Sequence, residues 1–356
     1  MTRTPSAYPA AISASGLTIY DAIEVGDPRL WIPSRELESL LNVGMRGMSL
    51  AGLPLRTRSK VVKEAVCRIL GYPIPRSFKK TKPRFPGQAL DTYSQKSNNL
   101  QVWNDELAPT RRYAIIRISA EDNIEKVKVV AGDALAVLDT TGTLTQKYQA
   151  RITIARGARP ELVSPTDTAP LIPLLGKPAK LTAFVENSID YPERGKLLPI
   201  KEIFARLSPL VGKKFNDPGI VQERNRGAGL HKLICRTLGY AESRDDGRFP
   251  DIRHQLIEVK LQTSPTIDLG LVRPSDKEPL EIPKVNGMKV RHCDVRYAVF
   301  YGETDGKKVK LTHLCLVTGE HFFSRFPQFQ GKVLNKKLQI PLPRGFFESE
   351  PEGLPD

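Results

Sequence analysis

The hydrophobic pattern in the second half of the chain predicts a β-strand with one buried face. The run Leu256-Ile-Glu258-Val-Lys260-Leu alternates apolar and polar residues, so Glu258 and Lys260 share a face. Asp251 follows a proline and precedes Glu258 by seven residues. Two carboxylates can hold a hard cation such as Mg2+, and a neighbouring lysine can orient or deprotonate an attacking water. The pattern predicts a metal-dependent hydrolytic site, to which a solvated strand with a chance arrangement of charges is the alternative.

Helical periods precede this strand, and their order occurs twice in the chain. The amphipathic segment Arg56–Tyr72 matches Arg224–Tyr240 at an offset of 168 residues. A second set of matches, at an offset of 164 residues, pairs Arg84-Phe-Pro with Arg248-Phe-Pro and Lys96 with Lys260. The repeat predicts two tandem copies of one α/β fold.

The repeat and the distribution of prolines together predict the domain boundaries. The first copy is expected at residues 1–155 and the second, catalytic copy at residues 196–356. Between them, residues 156–195 carry several prolines and are predicted to be a linker.

The first copy is predicted to lack the metal site. At the offset of 164 it has Gly87 and Ser94 where the second copy has its two acids, so it should not hold the cation. Asp91 and Gln95 leave an altered site open. The copy is therefore expected to be a DNA-binding or regulatory domain, and its candidate phosphate and base contacts are Lys96, Asn98, Asn99 and Gln101.

Charge supports a nucleic-acid partner. The formal net charge is +15, and cationic side chains that neutralise phosphates release counterions and so favour binding. No apolar run approaches the length of a spanning helix and the amino terminus lacks the apolar core of a signal peptide, so a cytoplasmic location without a membrane partner is expected. The four cysteines form no CxxC pair, which argues against a zinc ribbon.

Several blocks in the second half, in order, resemble the MutH-like branch of the PD-(D/E)xK endonucleases. They are the charged lead into a helix ending in Leu-Gly (Arg224–Gly239), the Asp251, Glu258 and Lys260 spacing, Val290-Arg291-His292, the strand Arg296-Tyr-Ala-Val-Phe and the segment Leu342-Pro-Arg344-Gly-Phe346-Phe347. The resemblance implies that each copy is a restriction-endonuclease-like domain with a mixed central sheet flanked by helices.

The resemblance also implies roles for individual residues. Asp251, Glu258 and the backbone carbonyl of Val259 would ligate Mg2+, and Lys260 would position or activate the attacking water. Candidate DNA contacts, some of them placed by the resemblance and Gln262 by its position on the same strand face, are Arg226, Gln262, Arg291, His292 and Arg344.

The chain departs from the family pattern at two places. Cys235 stands near the position of a further helix acid, for which Glu223 or His231 are possible substitutes, and Cys293 stands where a lysine is expected after Val-Arg-His. For these positions a structural role is an open alternative.

The expected function is that of a type II restriction endonuclease that hydrolyses duplex DNA with Mg2+. A homodimer and a cognate DNA methyltransferase are its expected partners. The alternatives are a nicking repair endonuclease of the same family, a modification-dependent endonuclease and, from another class, a DNA-binding protein without catalysis.

Overall fold

The computed structural model describes residues 7–144, 147–151, 160–180, 182–217, 223–330 and 337–348. The fold is mixed α/β, and the chain divides into two compact units. Unit 1 comprises residues 1–142 and 334–356, and unit 2 comprises residues 143–333. No helix within the described ranges is both long and apolar enough to cross a membrane.

The helices are α1 (Ala7–Ser15), α2 (Ser34–Met45), α3 (Leu55–Leu70), α4 (Gly132–Val137), α5 (Ile200–Leu207), α6 (Glu223–Leu238) and α7 (Phe322–Arg325). The strands are β1 (Leu90–Gln95), β2 (Asn99–Trp103), β3 (Arg112–Ile118), β4 (Ile124–Ala131), β5 (Tyr148–Arg151), β6 (Glu161–Leu162), β7 (Lys214–Asn216), β8 (Ile257–Gln262), β9 (Thr266–Gly270), β10 (Arg296–Thr304), β11 (Lys308–Thr318), β12 (Gln328–Gln330) and β13 (Lys337–Pro341).

Unit 1 is built around a three-stranded sheet covered by helices. Strand β3 lies between β1, to which it is parallel, and β4, to which it is antiparallel. The apolar faces of α2 and α3 pack on this sheet, because Leu41 and Val66 are fully buried in one cluster with Ile116. Helix α3 ends at Gly71, whose φ of 83° is readily adopted only by glycine.

Unit 2 contains a larger sheet with the order β6-β11-β10-β8, and β7 pairs with β11. Strand β8 is an edge strand parallel to β10. One face of the sheet, including Ile257 and Ala298, packs with α5 and α6, whereas Tyr297 and Val299 belong to a second core. Glu258 and Lys260 are the register partners of Tyr297 and Val299, so their predicted place on one face of a strand is confirmed. The prediction of a single buried face is wrong, because the two faces of this sheet pack in two separate cores.

The same backbone features recur in both units at an offset of 167 residues. A short 3-10 turn ends in a left-handed residue, Ala89 in unit 1 and Leu256 in unit 2, with φ of 44° and 50°. In both units the next residue starts the strand and forms a bridge back across the turn. The predicted offset of 164 in this block is therefore wrong, because Arg-Phe-Pro lies three residues later relative to the strand in the first copy.

The two units also share a set of buried hydrogen bonds made by one glutamine side chain in each. The side-chain amide of Gln88 donates to the carbonyl of Leu30 and its oxygen accepts from Ile32 N. Gln255 makes the equivalent bonds to Lys196 O and Leu198 N in unit 2. The guanidinium groups on the first residues of β3 and β10 donate to the backbone carbonyls of these two glutamines. These matching contacts support an internal duplication.

The segment predicted as a linker, 156–195, is largely part of the folded core of unit 2 in its described portions. Leu171, Leu174 and Phe184 are buried, and β6 pairs with β11. The carboxylate of Asp167 accepts from the fully buried guanidinium of Arg296 at 2.7 Å. Proline content was a misleading signal, because some of these prolines begin 3-10 turns within packed structure.

The closing strands of the two copies are exchanged. Strands β2 and β9 are equivalent at the offset of 167, yet β2 pairs with β13 from the end of the chain and β9 pairs with β5 from the first copy. The predicted boundaries at 155 and 196 are therefore wrong: residues 337–348 belong to unit 1 and β5 to unit 2. The physical reason is that backbone pairing, and not order along the chain, decides which sheet a strand completes.

Candidate active site

The turn before β8 and the strand itself bring Asp251, Glu258 and Lys260 together. The backbone N–H of Asp251 donates to Glu258 Oε2 at 3.2 Å, and the N–H of Val259 donates to Asp251 Oδ2 at 2.7 Å. Lys260 Nζ lies 2.8 Å from Glu258 Oε1. These three side chains, called the acid site below, form a connected cluster and lie within ten consecutive residues of the chain.

Burial and mutual charge shift the pKa values of Asp251 and Lys260 in the acid site. Burial raises the pKa of Asp251 well above its ordinary value, the charge of Glu258 raises it further, and the charge of Lys260 opposes both effects. Burial lowers the pKa of Lys260, but the charges of Glu258 and Asp251 outweigh it and leave that pKa raised. The lysine is therefore a cationic donor in this state, suited to holding a water or a phosphate oxygen.

The acid site fits a divalent cation by its donor set. Two carboxyl groups beside one ammonium offer oxygen ligands to a hard cation, and a bound cation would favour the ionised form of Asp251, whose pKa burial raises. No group of three or more His, Cys, Asp or Glu side chains in the described ranges is arranged to hold a metal. Mg2+ commonly uses only one or two carboxylates and completes its shell with water and phosphate oxygens, so the pair is sufficient.

An aromatic wall flanks the acid site. The Phe249 ring stacks on His292 with centroids 5.7 Å apart and lies 6.4 Å from the Tyr297 ring. Tyr297 is 1% exposed, and its hydroxyl has no hydrogen-bond partner in the part of the chain that the structure describes. Sequence reasoning did not select Tyr297; its signal was a phenol within the otherwise apolar run Tyr-Ala-Val-Phe of a central strand.

The predicted DNA contacts near this wall have different surroundings. His292 is partly buried and stacks on Phe249, and burial lowers its pKa, which favours the neutral imidazole. The Arg291 guanidinium donates to both carboxylate oxygens of Asp294 at 3.0 and 2.9 Å, which raises its pKa and ties it to the following turn. Gln262 lies half-buried at the end of β8, on the face of Glu258, whereas the side chain of Arg226 lies outside the described residues.

Helix α6 contacts the backbone of the acid site through the side chain of His231. His231 is 5% exposed, and its Nε2 lies 3.3 Å from the carbonyl oxygen of Asp251 and 3.6 Å from Cys235 Sγ. Burial raises the pKa of Cys235 to about 12, so this thiol remains protonated. The histidine thus supports the turn rather than replacing a helix acid, and the side chain of Glu223 lies outside the described residues.

Unit 1 has a different set of side chains in the equivalent frame. At the offset of 167, Arg84, Asp91 and Tyr93 stand where Asp251, Glu258 and Lys260 stand in unit 2. The Arg84 guanidinium donates to Asp91 Oδ1 at 3.0 Å and lies 3.7 Å from Glu106 Oε1.

Two further contacts complete this cluster. Arg111 lies 3.7 Å from Asp91 Oδ2, and the Tyr93 hydroxyl donates to Glu106 Oε2 at 2.9 Å. The five residues, called the closed site below, pair each acid with an arginine of the chain itself. Lys96, the predicted counterpart of Lys260, instead pairs with Asp122 at 2.8 Å on the exposed side of unit 1.

Arg344, which was expected in the catalytic copy, lies in unit 1, because β13 carries it there. A groove of about 690 Å3, called the arm groove below, lies beside it. Its lining has more cationic side chains than carboxylates and includes Asn98; the charged residues are Arg46, Arg117, Lys126, Arg344, Glu125 and Glu348. The Asn98 side chain accepts from Arg117, whose guanidinium faces the Phe347 ring. Asn99 and Gln101 are exposed on β2, where they alternate with buried residues.

No protein-family model, no curated protein and no solved structure matches this chain. Its function must therefore be inferred from its own residues and their geometry.

Proposed function

We propose that the chain is a type II restriction endonuclease of MutH-like, tandem PD-(D/E)xK architecture that hydrolyses duplex DNA with Mg2+. The observation that carries the proposal is the acid site: the buried carboxylate of Glu258 and the half-buried carboxylate of Asp251, hydrogen-bonded to one turn and strand, with the cationic Lys260 on the same strand face as Glu258. Unit 2 is the catalytic domain, and unit 1 is a DNA-binding or regulatory domain.

The proposed chemistry assigns each residue a task. Asp251, Glu258 and the carbonyl oxygen of Val259 would hold the cation, which when bound supplies charge stabilisation at the phosphate oxygens. Lys260 holds the attacking water by a hydrogen bond and orients it towards the phosphorus atom. The positive charge of a bound cation would compete with Lys260 for the Glu258 carboxylate. Loss of that ion pair would free the lysine to hold the water.

Unit 1 is proposed to bind DNA without a cation. Its closed site neutralises both acids internally, so it offers no place for Mg2+, whereas the arm groove presents an excess of positive charge. With one complete acid site in the described chain, cleavage of both strands requires two chains or two successive nicks. A nicking endonuclease is therefore the second candidate, favoured by that single site.

Digestion of a sequenced supercoiled plasmid with Mg2+, followed by end sequencing, tests the proposal. Linear DNA with a constant end sequence is expected, and accumulation of the nicked circle would favour the second candidate. Plasmids with and without base methylation are compared, because a requirement for methylation would favour a modification-dependent enzyme. DNA binding with no cleavage of either plasmid would contradict both nuclease candidates and favour a non-catalytic DNA-binding protein.

A further inference from the structure

Tyr297 has a buried hydroxyl that the described fold does not use. It lies on β10 directly beside Glu258 in the parallel register, and its ring is held between Phe249 and Phe322. A buried hydroxyl without a partner is destabilising, so such groups are rare in folded proteins and each needs an explanation. Phenylalanine would fill the same space without this cost.

The equivalent tyrosine of unit 1 shows what a purely structural hydroxyl does. Tyr113 follows Arg112 as Tyr297 follows Arg296, and each is the register partner of the strand acid, Asp91 or Glu258. The Tyr113 hydroxyl accepts from Ala108 N and donates to Glu106 O, both at 2.9 Å. The short connection between β2 and β3 supplies these partners. In unit 2 the longer connection, residues 271–295, supplies none in its described residues.

The surroundings of the Tyr297 hydroxyl define its acceptor. The hydroxyl is shielded from bulk solvent, and the charged groups that act on it are the carboxylates of Glu258 and Asp251. Burial, followed by these two charges, raises the pKa of Tyr297 well above its ordinary value, so the phenol is a neutral hydrogen-bond donor. We select Glu258 as the acceptor, because it is the register partner of Tyr297 and its charge acts on the phenol more strongly than that of Asp251.

We propose that Tyr297 is a positioning residue of the acid site, whose hydroxyl donates to the Glu258 carboxylate once a divalent cation draws that carboxylate away from Lys260. In the structure the Glu258 carboxylate accepts from Lys260 Nζ and from Asp251 N. Transfer of one carboxylate oxygen to the phenol would fix its orientation towards the cation and leave Lys260 free to hold water. This inference depends on the proposed metal site and adds a residue to it.

The test uses the full chain and Mn2+ as the probe, without DNA. Tyr297→Phe is expected to weaken Mn2+ binding, measured by calorimetry, by about 10-fold, the usual lower effect of removing a group that orients a metal ligand. Its unfolding temperature without cation is expected to equal or exceed that of the unchanged chain, because no hydrogen bond is lost. The stabilisation on adding Mn2+ should shrink in parallel.

Two tyrosines of the chain provide matched controls. Tyr301 lies on β10 like Tyr297, and Tyr301→Phe removes a hydroxyl that donates to Ser264 O at 3.0 Å. Tyr113→Phe removes the hydrogen-bonded hydroxyl of unit 1. Both are expected to lower stability without cation and to leave Mn2+ affinity unchanged.

Three outcomes are informative. Unchanged Mn2+ affinity in Tyr297→Phe would overturn the inference, as would a loss of cation-free stability equal to that of Tyr301→Phe. If the unchanged chain shows no Mn2+ binding that Asp251→Asn abolishes, the metal site itself is wrong and both proposals fail. Normal Asp251-dependent binding with an inert Tyr297→Phe would reject the tyrosine alone.

Discussion

The acid site and the closed site occupy the same backbone frame and differ in where their positive charge comes from. In both, the backbone N–H of the residue seven positions before the strand acid donates to that acid, Asp91 in unit 1 and Glu258 in unit 2. Unit 1 adds two arginines of its own, whereas unit 2 adds a second carboxylate and one lysine. A frame that holds one buried acid can thus either neutralise it internally or recruit a cation from solution.

The comparison shows that one backbone frame can carry two different arrangements of charge. Arg84 stands in unit 1 where Asp251 stands in unit 2, so a cationic side chain of the chain itself takes the place of a carboxyl group. The substitution preserves the fold because a buried acid needs a positive partner, and a guanidinium satisfies that need with directed hydrogen bonds.

The largest expected effect is the loss of cleavage when the acid site is altered. Asp251→Ala and Lys260→Ala should each lower plasmid cleavage by about 10³-fold or more, because one removes a cation ligand and the other the group that orients water. DNA binding, measured by gel shift, should remain. Arg84→Ala at the equivalent place in unit 1 should leave the cleavage rate unchanged; equal losses from Arg84→Ala and Asp251→Ala would remove the functional distinction between the two sites.

The strand exchange predicts effects that cross the apparent boundary of the copies. Ala150 on β5 and Ile340 on β13 are both fully buried, so replacing either by aspartate should cost about 2–5 kcal/mol. Ala150→Asp should increase amide hydrogen exchange in β9 of unit 2, although Ala150 lies in the first copy along the sequence. Ile340→Asp should do so in β2 of unit 1. The opposite pattern would show that the strands are not exchanged.

Cation affinity should depend on pH in unit 2. The raised pKa of Asp251 means that this carboxyl holds its proton at pH values where an ordinary carboxyl is ionised, so a cation must displace that proton. Apparent Mg2+ affinity should rise by up to about tenfold per pH unit until the pH exceeds the pKa of the folded state. The free energy of unfolding in the absence of a cation changes in the opposite direction. It falls as the pH rises from the ordinary pKa of a carboxyl to the raised pKa of Asp251, because the carboxyl must then ionise inside the folded protein.

Calorimetry in buffers of different ionisation enthalpy measures the protons released. Asp251→Asn is the control and should show neither cation binding at this site nor proton release. A proton release that persists in Asp251→Asn would assign the titration to another group.

The smallest expected effect concerns the arm groove. Arg344→Ala should weaken DNA binding several-fold and reduce the slope of log affinity against log salt by about 1, as expected for one lost phosphate contact. Lys96→Ala should have less effect, because Lys96 already pairs with Asp122. Fluorescence anisotropy at several salt concentrations measures both. An unchanged slope for Arg344→Ala would remove the arm groove from the DNA-binding surface.

The sequence by itself determined the acid site. Asp251, Glu258 and Lys260 lie within ten consecutive residues, and the period of two along a strand is sufficient to place Glu258 and Lys260 on one face. The mixed α/β fold class and the helices α3 and α6 could also be predicted from the sequence, because each helix has a local period of apolar residues and a glycine at its end.

Only the tertiary structure decided the true register of the repeat, the packed state of residues 160–180 and 182–195, and the exchange of β5 and β13. It also placed Arg344 in unit 1 and left the Tyr297 hydroxyl beside Glu258 without a partner. The reason is physical: local patterns state which face of a segment is apolar, whereas the choice of its partner depends on contacts between residues far apart in the chain. A strand of four or five residues such as β5 or β13 carries too few side chains to specify that partner alone.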